Sequence, residues 1–203
     1  RSGRGACAGP LVVASVILRD LNSRALEEVK DSKELTPKKR DRLFDVIIEE
    51  SLSYSIIEIP SAEIDLIGLH RANLEGMRRA ISALSTNPNY ILTDGYEIEG
   101  LSAPSLAVWK GDQVALSISA ASILAKVYRD RVMQDLDGKY PSYGFASHKG
   151  YVTRSHQESL KKYGVSEVHR RSYANIAALV AALQADSGFV GTDLVIGNVG
   201  NEL

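Results

Sequence analysis

The chain predicts an α/β layer architecture, a mixed sheet flanked by helices, from three observations. Short β-prone runs alternate with longer stretches of helical spacing. Two of those runs, Tyr90-Ile-Leu-Thr-Asp94 and Leu106-Ala-Val-Trp109, read as buried strands, and each leads to an aspartate, Asp94 and Asp112. The stretch from Ser117 to Leu136 reads as a long helix with small residues along one side (Ser119, Ala120, Ala121, Ser122, Ala125), which lets it lie close against a sheet.

The elements follow in order. Arg1-Ser-Gly-Arg-Gly5 opens without an initiator methionine, which predicts a start inside a longer chain. Pro10 leads into the strongly β-prone run Leu11 to Leu18. Leu21 to Lys30 reads as loop or short helix, and Asp31-Ser-Lys-Glu-Leu35 as a polar connector. Thr36 is a good N-cap with Pro37 at the first helical position, and the spacing of Leu43, Val46 and Ile47 predicts a helix over 37–52. Tyr54 to Pro60 is a second strand, closed by its proline. Ser61 caps a short helical segment through Ile64. An amphipathic helix follows with Leu69, Leu74, Met77, Ile81 and Leu84 on one stripe.

Past the two aspartates, Gly138 and Pro141 end the long helix, and Tyr140 to Gly150 is a loop rich in glycine and aromatics. Thr153 to Tyr163 is a helix stopped by Gly164, and Ala174 to Gln184 is an alanine-rich amphipathic one. Residues from 186 onward have glycines and no clear period. The expected organisation is a core over 1–145, a helical part of the same domain over 146–185, and a loosely ordered tail over 186–203.

Composition narrows the class. With 44% hydrophobic and 24% charged residues, disorder and membrane classes are excluded, and no apolar run approaches the roughly 18 residues of a spanning helix. No signal peptide is visible. The single cysteine, Cys7, sits in a small-residue run and reads as a buried, inert thiol. Together these predict a cytoplasmic protein without membrane contact and, by expectation, a monomer. The net charge of −1 hides an asymmetry: Lys149, Arg154, Lys161, Lys162, Arg170 and Arg171 stand against only Glu158 and Glu167 between His148 and Arg171. A second basic cluster, Lys38-Lys39-Arg40 with Arg42, reads as a solvated helix face. Focused positive charge around a carboxylate centre suits a polyanion handled through metal ions.

The carboxylates carry the chemistry. Two aspartates at the ends of central strands repel each other unless a cation is shared between them, which points to a hard divalent ion held by oxygen ligands. Open α/β sheets place ligands at such strand ends. Either aspartate alone is as well explained by a turn; the pair is not.

An ordered set of short motifs adds to this. Gly3-Arg-Gly5 with Ala8-Gly-Pro10, Asp31-Ser-Lys-Glu-Leu35, Thr93-Asp-Gly95, Lys110-Gly-Asp112 and Ser119 to Lys126 all occur. So do Arg129-Asp-Arg131, Tyr140 to Phe145, His148-Lys-Gly-Tyr151 and His169-Arg-Arg171. In this order, over residues 3 to 175, the chain resembles bacterial ribonuclease HII. The resemblance implies a ribonuclease H-like fold with a small C-terminal helical part. It also implies endonucleolytic cleavage of RNA in RNA–DNA hybrids, including 5′ to single ribonucleotides embedded in duplex DNA. The implied cofactor is Mg²⁺ or Mn²⁺, as two ions about 4 Å apart. Asp94 and Asp112 correspond to the third and fourth members of the family's Asp-Glu-Asp-Asp set. Gly3, Arg4 and Gly5 would read the 2′-hydroxyl, Tyr151 would stack on the adjoining deoxyribose, Ser32 and Lys33 would grip phosphates, and His148 would stand on the substrate side.

One departure matters. Where the family has Asp-Glu-x-Gly-Arg-Gly, Ser2 fills the x place, Arg1 fills the glutamate place, and the aspartate would precede residue 1. Either a segment carrying the pair stands ahead of Arg1, which the absence of any other departure between Ala6 and Arg171 favours, or this form is a catalytically silent binder of hybrids. A different metal phosphohydrolase of the same fold is the remaining reading. Asp130, flanked by two arginines, reads as an ion-pair partner, and His156 and His169 as surface or core residues without metal-ligand spacing.

Overall fold

The computed structural model describes residues 1–186. Strand β1 (Leu11–Leu18) runs antiparallel to β2 (Ser51–Ile59), and β3 (Ile91–Asp94) runs parallel to β4 (Ser105–Val108). Both pairing modes of a mixed sheet are present, but as two separate two-stranded sheets. The sides of β1 and β3 not used in these pairings face one cleft of about 450 Å³, lined by residues of both strands together with Arg1, Ile118 and Ala121. At one end of this cleft Ser2 bridges Val12 in antiparallel sense, with Ser2 N–H donating to Val12 O at 2.8 Å and Val12 N–H to Ser2 O at 3.0 Å.

Helices cover both faces of β1. Helix α1 (Pro37–Glu49) starts as expected, with Thr36 Oγ1 accepting from Lys39 N–H at 3.3 Å. It stops three residues before the expected 52, because β2 begins at Ser51 rather than Tyr54. The inward positions of that first half are Ser51, Ser53 and Ser55, all buried, so no apolar alternation announces the strand. Their hydroxyls find partners inside: Ser51 donates to Ile48 O at 2.8 Å, Ser53 pairs with Ser85 at 3.0 Å, and Ser55 donates to Ala80 O at 2.5 Å.

Helix α2 (Ser61–Ile67) outruns its expected end, and Ser61 does not cap it; its hydroxyl donates to Val168 O at 2.7 Å instead. Helix α3 (Leu69–Ser82) buries Met77 and Ile81 as expected, while Leu84 lies past its end. The expected connector at 31–35 is a 3-10 turn, Ser32–Glu34. A second such turn occupies Arg24–Leu26.

Helix α4 (Gly111–Val114) is a single turn, and α5 (Leu116–Lys139) is the longest element. Gly138 does not end α5 as expected, since a Cβ there would meet nothing within 4 Å and an exposed last turn tolerates glycine. The small residues Ser119, Ala120, Ser122 and Ala125 are buried, and α5 joins Val12 and Ala14 of β1 with Leu43, Phe44 and Ile47 of α1 in one core cluster. On the other face Leu11, Val13 and Ile59 pack with α2, α3 and Ile91.

The C-terminal part adds α6 (Phe145–His148), α7 (Arg154–Tyr163) and α8 (Ala174–Asp186). Thr153 caps α7 through His156 N–H at 3.2 Å, and Gly164 closes it. These helices share a third core with Cys7, Ala8 and Met133. Cys7 is fully buried, and burial pushes its thiol above the ordinary range, as an inert core sulfur requires. Helix α8 includes Asp186, where the tail was expected to begin; the rest of that expected tail, 187–203, lies outside the described residues. No helix among the described residues is long and apolar enough to cross a membrane.

Backbone hydrogen bonds tie the N-terminal segment to the C-terminal part: Gly9 N–H donates to Val168 O at 2.8 Å and Arg170 N–H to Cys7 O at 2.8 Å. Cys7 N–H donates to Gly150 O at 2.9 Å, and a Cβ on Gly150 would sit 2.3 Å from Ala8 O, at φ +79°. Gly150→Ala should therefore destabilise the fold by about 3 kcal/mol, combining left-handed strain with a clash against backbone. Gly144→Ala, at φ +76° and ψ +35° with only an ordinary contact to His148 Nε2 at 3.8 Å, isolates the left-handed strain and should cost about 1 kcal/mol. Urea denaturation of the two variants checks this, and equal losses would contradict it.

Candidate active site

Asp94 is the last residue of β3, opposite Val108 of β4 in parallel register. The chain leaves each strand by a tight local turn. Gly95 N–H donates to Val108 O at 3.0 Å, tying the two strand ends together. Beyond β4, Lys110 adopts a left-handed conformation (φ 52°, ψ 44°), which turns the chain at once into α4 and sets Asp112 in its first turn. Ser119 of α5 holds that turn by donating to Asp112 O at 2.8 Å.

Asp94 at the end of β3 and Asp112 in the turn beyond its partner strand β4 thus leave the same end of the paired strands. Cations sit on both carboxylates. Arg1 Nη1 donates to Asp94 O at 2.7 Å and lies 3.7 Å from Asp94 Oδ2, with its guanidinium 4.7 Å from the Tyr96 ring centroid. Lys33 Nζ lies 3.5 Å from Asp112 Oδ2 and 4.0 Å from Asp31 Oδ2. Asp31 is buried and accepts from Lys33 N–H at 3.0 Å, so it fixes the turn from which the exposed lysine reaches in. Ser32 is buried too, its carbonyl taken by Arg40 Nη1 at 2.9 Å.

The fit to a divalent ion is partial. Asp94 and Asp112 are hard oxygen donors suited to one Mg²⁺ or Mn²⁺. Among the described residues no group of three or more His, Cys, Asp or Glu gathers as a metal site, so two ions lack ligands here.

Gly3, Arg4, Gly5 and Tyr151 form a second group. A Cβ on Gly5 would touch the Tyr151 ring at 3.9 Å, and the Arg4 guanidinium lies 5.6 Å from the Tyr96 centroid. Two buried arginines hold this group from below. Arg170 gives Nε and Nη2 to Gly9 O at 3.0 and 2.9 Å and Nη1 to Arg4 O at 3.2 Å, and Tyr173 Oη donates to the same Arg4 O at 2.6 Å. Arg129 donates to carbonyls of both loops. Arg170, counted among the cations suited to a polyanion, is 0% exposed and so is not open to one. Lys149 is half-buried and donates to Asp130 O at 3.3 Å, while Arg154, Lys161, Lys162 and Arg171 remain exposed. The other basic cluster is a surface face at Lys39 and Arg42, both paired to Glu28, but Arg40 turns inward to the Ser32 and Leu35 carbonyls.

His148 is spent on its own loop, its Nε2 on Tyr143 O at 2.8 Å and its Nδ1 accepting from Gly150 N–H at 3.2 Å. It stacks on His156 at 4.2 Å, and His156 meets His169 through their Nε2 atoms at 3.0 Å, so all three histidines belong to one internal cluster. Asp130 pairs as expected, but with Lys126 at 2.6 Å rather than with its flanking arginines. The expected buried character of the two strands fails: Leu92 within β3 and Leu106 within β4 are exposed, no residue of β4 is buried, and Tyr90 and Trp109 fall outside the strands and are exposed too.

Sequence reasoning missed Arg129 and Arg170 as buried residues. For Arg129 a signal existed, since it lies four residues from both Ala125 and Met133 on the packed stripe of α5. For Arg170 none did.

The family model described as Ribonuclease HII matches residues 2–176. The chain is 50% identical over 178 residues to the Ribonuclease HII of Salinispora arenicola, covering 88% of this chain and 66% of that protein. It is 54% identical over 177 residues to that of Saccharopolyspora erythraea, covering 87% and 78%. Among solved structures it is similar to the ribonuclease H2 of Pyrococcus horikoshii, with a TM-score of 0.79 and 29% identity over 90% of this chain and 95% of that one, which establishes the ribonuclease H-like fold. By its sequence match and its fold, the chain belongs to the ribonuclease HII family of nucleases.

Proposed function

We propose that the chain acts on RNA–DNA hybrids and on DNA duplexes containing ribonucleotides, as an endonuclease that cuts on the 5′ side of the ribonucleotide. The observation that carries this reading is the placement of Asp94 at the end of β3 and of Asp112 just beyond β4, its parallel neighbour. Asp94 and Asp112 would hold a divalent ion, Mg²⁺ or Mn²⁺. When bound, such an ion supplies an activated water and neutralises the leaving 3′-oxygen. The residues of the chain do the rest. Lys33, exposed and resting on Asp112, is free to move to a phosphate when that carboxylate is otherwise neutralised. Asp31 fixes the turn beneath it, while Ser32, expected to grip a phosphate, is buried and offers one little surface. Gly3, Arg4 and Gly5 bring backbone groups to the 2′-hydroxyl, the local mark of a ribonucleotide. Tyr151 lies against Gly5 and stacks on the next sugar. Arg154, Lys161, Lys162 and Arg171 follow the phosphates without sequence preference.

A duplex carrying one ribonucleotide, incubated with Mg²⁺ or Mn²⁺, should be nicked on its 5′ side. A specific observation favours a second reading, hybrid binding without cleavage: the Arg1 guanidinium stands at Asp94, where the family has a carboxylate. That reading predicts salt-sensitive duplex binding and no metal-dependent cutting. Failure of both binding and cutting would remove both readings.

A further inference from the structure

Arg129 is 0% exposed, yet no carboxylate among the described residues lies within ion-pairing distance of it. Burying an unpaired charge is costly, and burial brings this guanidinium down to about 10, against the attraction of Tyr151. What it has instead is three backbone carbonyls. Nε donates to Pro10 O at 2.9 Å, Nη2 to Ala8 O at 3.1 Å and Nη1 to Lys149 O at 2.9 Å. The first two follow the Gly-Arg-Gly turn, and the third lies two residues before Tyr151.

The same guanidinium touches the two groups that those loops present. Its carbon stands 5.7 Å from the Tyr151 ring centroid. A Cβ on Gly3 would fall 2.0 Å from Arg129 Nε, so the turn packs directly on the guanidinium, at a φ of +87°. A lysine could not do this, because its single ammonium cannot hold three carbonyls in one plane. Arg129 is thus the one side chain seen to bond both loops and to lie under both the glycine turn and the tyrosine.

We infer that Arg129 is a positioning residue for ribonucleotide recognition: it fixes the gap between the Gly3–Gly5 turn and the Tyr151 ring, so that one junction of ribose and deoxyribose fits between them. The inference rests on the nuclease reading above. A clamp of this kind sets discrimination between duplexes more than affinity for them, because phosphate contacts made elsewhere carry most of the binding.

Arg129→Lys keeps the charge and loses the fork, and Arg129→Gln keeps one donor group and loses the charge. Dissociation constants are measured in EDTA for a duplex with one ribonucleotide and for the same duplex in DNA alone. The original chain should prefer the ribonucleotide duplex. Both variants, checked for folding by urea denaturation, should lose at least about tenfold of that preference, while affinity for the DNA duplex changes less than about threefold. In a Tyr151→Ala background Arg129→Lys should remove nothing further, since the gap no longer has its second wall. Preference retained in a folded variant would overturn the inference. So would affinities for both duplexes falling together, effects that multiply in the double variant, or failure of both variants to fold, as expected of an arginine that only holds the core together. An original chain that cannot tell the two duplexes apart would remove the underlying functional reading, and this inference with it.

Discussion

Replacing Asp94 or Asp112 by asparagine should reduce metal-dependent cleavage of a ribonucleotide-containing duplex at least about 100-fold in each case, since even substitutions beside a metal's ligands cost 10- to 100-fold. Asparagine keeps the shape and loses the charge, so the effect is electrostatic. Arg1 stands at Asp94 and Lys33 at Asp112, so removing either carboxylate leaves one hard anionic ligand beside two cations. Binding should respond in the opposite direction. In EDTA, a carboxylate facing the phosphates repels them, so each variant should bind duplex as well as the original or better. Asp130→Asn is the control, because Asp130 is engaged with Lys126 on α5 and should leave cleavage within about twofold. Cleavage rates with Mn²⁺ and dissociation constants without it check the pair of effects. Cleavage retained within tenfold by both Asp94→Asn and Asp112→Asn would end the carboxylate assignment.

The positions of those two aspartates were legible because strand ends and glycine turns are local signals: apolar Ile91 and Leu92 before Asp94-Gly95, and Gly111 before Asp112. The starts of α1 and α7 were legible for the same reason, since Thr36 and Thr153 cap within three residues of themselves. Less visible were features that depend on where distant backbone lies. Ser53 and Ser55 of β2 face inward onto the Ser85 hydroxyl and the Ala80 carbonyl, 32 and 25 residues further along the chain, and nothing near them in the sequence says so. Arg170 reads as one more cation in a basic stretch until Gly9 O and Arg4 O, more than 160 residues away, are seen to receive it. Tyr90 and Trp109 have strand-like composition but stand just outside β3 and β4, where no layer covers them. A pattern of residue types reports which face is apolar; it does not report which carbonyls are unpaired.

Stability should fall by about 2 kcal/mol between pH 7 and pH 5 through His169 alone. The hydrogen bonds around it admit only neutral rings. His156 Nδ1 lies 2.9 Å from Tyr151 O, an acceptor, so that nitrogen carries the proton and His156 Nε2 must accept. His169 Nε2 at 3.0 Å is then its donor, and His169 Nδ1 accepts from Ser166 N–H at 3.1 Å and Ser166 Oγ at 2.8 Å. A further proton on either ring would set two donors against each other, or one against the Ser166 amide, inside a core of Phe145, Tyr143 and Cys7. Burial, then the neighbouring His156, bring His169 down to about 4, and burial lowers His156 as well. The sign follows from the unfolded chain, whose histidines take up protons near pH 6.5 while the folded His169 refuses them until about 4. The unfolded state binds more protons throughout that window, so the contribution is complete above pH 6.5 and is lost as pH falls toward 4. His156 adds in the same direction. Glu28, held down to about 2 by Lys39 and Arg42, is lost only at lower pH and leaves the window clear. Urea midpoints taken between pH 7.5 and pH 5 should therefore decline in the original chain and much less in His169→Gln, in which no ring titrates at that position. A decline of equal slope in both would place the acid sensitivity elsewhere. Because Tyr151 O receives the far end of this hydrogen-bond chain, the protons that weaken the fold arrive directly behind the residue proposed to face the substrate.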